Sequence, residues 1–146
     1  MFYFVVKRLG FLKDIPLMAI FYDSLLKLWF FVTKPKLLNW IDEIEETVLA
    51  LKSTSITIHK YGGSQFNYLE KEFAHLHSNG LLDILFSQKL KKEFKLHGNI
   101  TDHHVFKNSG WISFYINNEE DLHYAKELLK IAYEREISHS LLAQKL

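Results

Sequence analysis

Two histidines, His75 and His77, stand just before a tight turn and an aspartate, Asp83, in the run Glu72-Phe73-Ala74-His75-Leu76-His77-Ser78-Asn79-Gly80-Leu81-Leu82-Asp83. The run reads as strand, turn and strand. Residues two apart on a strand project from one face, so His75 and His77 point the same way. Imidazole titrates near neutral pH, and a carboxylate beside it fixes the ring and favours its cation. Proton transfer is the chemistry this permits, with His75 or His77 as base and Asp83 as its orienter. The same atoms offer a two-His-one-carboxylate set for a divalent metal, from His75, His77 and Asp83 or with His103 or His104 supplying a ligand.

The turn length decides which way Asp83 points. A two-residue Asn79-Gly80 loop would set His77 against Leu82 and send Asp83 to the opposite face. A three-residue loop, Ser78-Asn79-Gly80 with Gly80 left-handed, sets His75 against Asp83. It also gathers Ala74, Leu76, Leu82, Ile84 and Phe86 on one apolar face and leaves Phe73, His75, His77, Leu81, Asp83 and Leu85 on the other. A sheet with a buried face avoids mixing the two sets, so the three-residue loop is predicted. The same sorting sends Ile56, Ile58, Ile112, Phe114 and Ile116 to the core. The second face then carries His59, Tyr61, His75, His77, Asp83, Trp111, Ser113 and Tyr115. Apolar walls with a few aimed polar groups are the make-up of a small-molecule pocket. By the same alternation Glu72 faces Ala74 and Leu76, where a salt bridge or a backbone cap is its expected role. His103 and His104 are loop neighbours, and one of the two is expected to point inward.

These strands need covers. A first short helix is expected to end at Gly10, and a second, capped by Asp14, to run from about Pro16 to Phe31. Asp23 and Lys27 stand four apart within it, spaced to pair on one helical face. Lys34-Pro35 opens a third, in which Leu37, Ile41, Ile44, Val48 and Leu51 recur at helical spacing. Ser87 caps a short helix with Leu90 and Phe94 spaced i, i+4, and a polar loop spans His97 to Gly110. A strand follows from Trp111 to Ile116. Glu119, Glu120 and Asp121 then open a final helix, where its dipole favours them. Helices, a meander and a helix make an α+β fold, an antiparallel sheet covered on one face by N-terminal and C-terminal helices. The chain divides into hydrophobic N-terminal helices (1–34), docked or membrane-peripheral, an α+β domain (35–137) and a C-terminal tail (138–146).

Composition narrows the choices. The 146 residues suffice for one domain with a real core. With a formal net charge of +1 and a pI near 7.9, no nucleic-acid partner is expected. The chain has no cysteine, which rules out disulfides, thiolate catalysis and cysteine-ligated metals and suits a cytoplasmic location. Gly62-Gly63 lacks the Lys-Ser/Thr pair of a phosphate-binding loop, and no nucleophile elbow or zincin motif is present.

His59-Lys60-Tyr61-Gly62-Gly63, Phe66, Glu72-x-x-His75-x-His77, Gly80-Leu81-Leu82-Asp83, Asp102-His103-His104 and Ser109-Gly110-Trp111-Ile112-Ser113 occur in this order, followed by Asp121 to Tyr133. In that order and spacing they resemble the luciferase domain named for fungal luciferase, in the form of its small bacterial members, from about Pro35 to Tyr133. Ser109 to Tyr133 is also similar to the small double-wing proteins of frataxin-like fold, which supports the same α+β reading. The first resemblance implies a cofactor-independent, oxygenase-like enzyme for an enolic or phenolic substrate. His75, His77 and Asp83 would be catalytic, and His59, Tyr61, His103, His104, Trp111, Ser113 and Tyr115 would hold the substrate, with Glu72 in support. Two alternatives stand beside it: a non-catalytic ligand- or partner-binding module with structural histidines, and a His/carboxylate metal-dependent enzyme. The expected partner is a small organic molecule, with peripheral membrane contact open to the residues before Pro35.

Overall fold

The computed structural model describes residues 16–97, 100–103 and 105–143. The expected helix ending at Gly10, the Asp14 cap and His104 lie outside them. Helix α1 (Pro16–Thr33) leads into α2 (Pro35–Leu49), with Pro35 opening the second helix, where its missing N–H costs nothing. Six strands follow: β1 (Thr54–Ile58), β2 (Ser64–Tyr68), β3 (Lys71–Leu76), β4 (Leu81–Leu85), β5 (Thr101–Asp102) and β6 (Trp111–Tyr115). Helix α3 (Gln88–His97) lies between β4 and β5, and α4 (Glu119–Ala143) closes the described chain. The expected α+β class is the one observed: an antiparallel sheet in the order β1-β2-β3-β4-β6-β5.

The core lies between one face of this sheet and helices α2 and α4. The α2 stripe of Leu37, Ile41, Ile44 and Val48 packs with Leu122, Ala125, Leu129 and Ala132 of α4 over Phe66, Ala74, Leu82, Ile84 and Ile112. Asn118 and Asp121 cap α4 reciprocally: Asn118 Oδ1 accepts from the Asp121 N–H, and Asp121 Oδ2 from the Asn117 N–H, each at 2.9 Å. Residues 138–143 continue this helix. At the start of α3, Ser87 Oγ accepts from the Leu90 N–H.

The predicted three-residue turn is present. Leu76 opposes Leu82, His75 opposes Asp83, the His77 N–H reaches the Leu81 carbonyl, and Gly80 takes a φ of 83°. Four expectations are corrected: the faces taken by Phe73 and Glu72, the burial of Ile58 and the partner of Asp23. Between β2 and β3 the register slips: Phe66 opposes Ala74, but the next residue, Asn67, opposes Glu72. Phe73 is the extra residue of a β-bulge, and it turns into the core, fully buried. The bulge moves Glu72 from the core face, where alternation put it, to the histidine face. Ile58 is not core but 73% exposed. It ends the edge strand beneath an open cleft of about 290 Å³ between β1 and α1, which the helices leave unfilled. The carboxylate of Asp23, expected to pair with Lys27, is taken up at the β3–β4 turn, where Oδ2 accepts from the Ser78 hydroxyl (2.6 Å) and Oδ1 from its N–H (3.1 Å).

Candidate functional site

On the second face of the sheet, β1, β3, β4 and β5 with the turns after them bring six ionisable side chains together. Asp83 stands in the middle of β4 with no exposed surface. Its cross-strand partner Ser113 of β6 donates its hydroxyl to Oδ1. Around Oδ2 stand three imidazole nitrogens: Nε2 of His75 at 3.1 Å, of His103 at 3.7 Å and of His77 at 3.8 Å. Burial alone would raise the pKa of Asp83, but the bonds from His75 and Ser113 outweigh it and hold the group below the ordinary 3.8.

His75 is clasped on both sides, with Nδ1 2.7 Å from Glu72 Oε1 and Nε2 against Asp83. Burial opposes its charge, yet the two carboxylates win and raise its pKa above 6.5. The two carboxylates therefore favour the charged form of the ring. The Phe73 bulge makes this possible by bringing Glu72 onto the histidine face. His59, just past β1, stacks on His75 with centroids 3.9 Å apart and planes within 7°. Burial, followed by the charge of His75, lowers its pKa to about 4, so it is neutral. Its Nδ1 is buried with no hydrogen-bond partner among the described residues. The turn carrying it depends on Gly63, whose φ is 83° and where a Cβ would stand 2.2 Å from the Leu76 carbonyl oxygen.

The loop between β5 and β6 supplies an aromatic wall. Trp111 lies 5.3 Å from the His75 ring, and Phe106 stacks on His103 at 5.1 Å. His103 Nδ1 accepts from the N–H groups of Val105 and Phe106, both at 3.1 Å. Its proton is therefore on Nε2, facing Asp83. One buried amine shapes this loop. Lys91 Nζ of α3 donates to the carbonyls of Lys107, Ser109 and Trp111 at 2.8–2.9 Å and lies 3.0 Å from Asp102 Oδ1.

Of the residues expected at the site, His59, His75, His77, Asp83, His103, Trp111 and Ser113 come together. Tyr61 sits at the rim, 5.7 Å from His59 and largely exposed. Tyr115 is farther along β6, where it lines an open cleft of about 340 Å³ with Thr101, Ser113, Asn117, Asn118 and Asp121. Ser113 joins the two regions, since it both borders that cleft and bonds Asp83. Lys91 and Phe106 were missed. No short-range pattern marks a lysine that binds carbonyls sixteen to twenty residues away.

Among the described residues, two groups bring three ligand atoms within 4.8 Å of one another, His59–His75–His77 and His75–Asp83–His103; the trio His75, His77 and Asp83 is not among them. A metal ion bonds in the plane of an imidazole, and the parallel stacked planes of His59 and His75 share no such point. In the second group the Nε2 proton of His103 occupies the position a metal would need.

No curated protein matches the chain. The family model described as Luciferase domain matches residues 70–132, which runs from the residue before β3 into α4 and holds Glu72, His75, His77, Asp83, His103 and Trp111. Over that span the chain is similar to the luciferase domain, in agreement with the resemblance drawn from the sequence motifs.

Proposed function

We propose that the second face of the sheet binds a small enolic or phenolic molecule and removes its hydroxyl proton. The observation that carries this reading is a charge balance. Two carboxylates, Glu72 and Asp83, enclose one imidazole, His75, and favour its cation; even with that ring charged, the cluster keeps one negative charge that a proton on a second imidazole would neutralise. His77 is placed to take that proton. It is the least buried of the four clustered histidines, its side chain 19% exposed, and its Nε2 faces Asp83 at 3.8 Å, a distance that tightens once the ring is charged. The substrate O–H bond breaks, the proton passes to the His77 ring, and an enolate or phenolate remains, with Asp83 stabilising the new imidazolium. Trp111, Phe106 and Tyr61 wall an aromatic guest, and the unpartnered Nδ1 of His59 is a polar group awaiting one. The oxygenase chemistry implied by the resemblance starts from such an anion.

The test uses para-nitrophenol, whose anion is yellow. At a pH below that of its own ionisation, the protein should deepen the phenolate colour saturably. His77→Gln should abolish the effect and leave the circular dichroism spectrum unchanged. Binding without any colour change, or colour retained in His77→Gln, would remove His77 as base and leave the histidines to a structural role.

A further inference from the structure

Helix α1 is assembled inside out. At 100° per residue, Ala19, Asp23, Leu26 and Phe30 share the side that packs on the domain, with Ala19 and Asp23 buried. The opposite side carries Leu17, Phe21, Leu25, Leu28 and Val32, which are 48–78% exposed, flanked by the exposed Trp29 and Phe31. The helix thus turns its one described carboxylate inward, to Ser78, and its apolar line outward. A contiguous stripe of this kind marks an interaction surface. No helix among the described residues is long and apolar enough to cross a membrane.

Charge selects the occupant. Among the first 36 residues, Lys7, Arg8, Lys13, Lys27, Lys34 and Lys36 are basic, while Asp14 and Asp23 are acidic. Since the whole chain carries only +1, the rest of it is net acidic. Lys27, Lys34 and Lys36 are exposed, Lys27 at the cleft between α1 and β1 and Lys34 and Lys36 just past the C-terminal end of α1. A second copy of this chain would bring like charges together, whereas an anionic lipid surface meets both the apolar line and the lysines. We infer that the outer face of α1 docks on an anionic membrane surface. The inner side of the same helix braces the site: Asp23 holds Ser78 beside His77, and Gly62 next to Asp23 has no room for a Cβ, which would stand 2.4 Å from the Asp23 Cβ. Docking would therefore set the histidine turns at the lipid boundary, where an apolar phenol partitions.

The test is co-sedimentation of the full chain with phosphatidylcholine vesicles, with and without phosphatidylserine. Phosphatidylserine should tighten binding at least about tenfold, and each of Lys27→Gln and Lys34→Gln should weaken it about fivefold. Leu28→Glu, at an exposed position, should weaken it more than about tenfold with the dichroism spectrum unchanged. Equal binding to both vesicles, no binding, or binding indifferent to Leu28→Glu would overturn the inference. So would a dimer in analytical ultracentrifugation that Leu28→Glu dissociates, since the stripe would then belong to a second copy.

Discussion

The two faces of the sheet are both buried, yet they are held by different forces. The helix-covered face packs Phe66, Phe73, Ala74, Leu82, Ile84 and Ile112, whose contribution is apolar area and has no protons to exchange. The other face buries Asp83, His75, His59 and His103, whose contribution depends on which of them are charged. The faces meet at the Phe73 bulge, where one residue delivers a ring to the first and a carboxylate to the second. The comparison teaches that one fold can keep a constant support and a pH-dependent site back to back, at the cost of one irregular strand.

Phe73→Ala should break the first face with the largest effect, about 4 kcal/mol of stability. Urea unfolding at several pH values measures it, and the cost should be the same at each. A cost that rose and fell with pH would mean that the faces are not independent. Asp83→Asn should lose about 3 kcal/mol at neutral pH, because it strands the His75 cation and the Ser113 hydroxyl. Its cost is pH-dependent, with the sign set by both partners. His75 has a raised pKa, so its contribution is complete below about 6.5 and fades as pH rises through the higher folded value. Asp83 has a lowered pKa, so its contribution is present above about 3.8 and fades as pH falls through the lower folded value. The cost should therefore peak between these limits, and a flat profile would discard the ion pair. The smallest effect is at His59. Its folded pKa of about 4 lies below the unfolded 6.5, so between these values the unfolded chain binds the extra proton. Stability then falls with acidification, by about 2 kcal/mol at pH 5 from this group. In His59→Gln that loss should vanish from the slope of stability against pH, and a slope as steep as before would refute it.

Much of this face was legible in the sequence because alternation is local. Gly80 and the apolar partners Ala74, Leu76, Leu82 and Ile84 specified the hairpin register, and that register alone set His75 against Asp83. The bulge was not legible, since it exists only in the pairing of β3 with β2, and neither strand carries a signal of it in isolation. For that reason the residue partner of His75 at Glu72 was assigned to the wrong face. Ile58 failed for a related reason: alternation gives the side of a strand, and says nothing of whether a helix reaches that far. β5 was read as loop because two residues have no period; it is held by pairing with Ser113 and Ile112 and by Lys91. His103 points inward, as one of the neighbouring histidines was expected to, and that same anchoring holds it there.

Lys91 grips only main-chain oxygens of the loop: the carbonyls of residues 107, 109 and 111 exist whatever side chains those positions carry. The shape of the loop is thereby separated from its composition. Gly110 is the exception, since a Cβ there would stand 1.7 Å from the Phe86 carbonyl oxygen; elsewhere the side chains of this wall can change while the backbone keeps its path, so a point substitution there would alter the surface offered to a guest without moving Asp83 and its histidines.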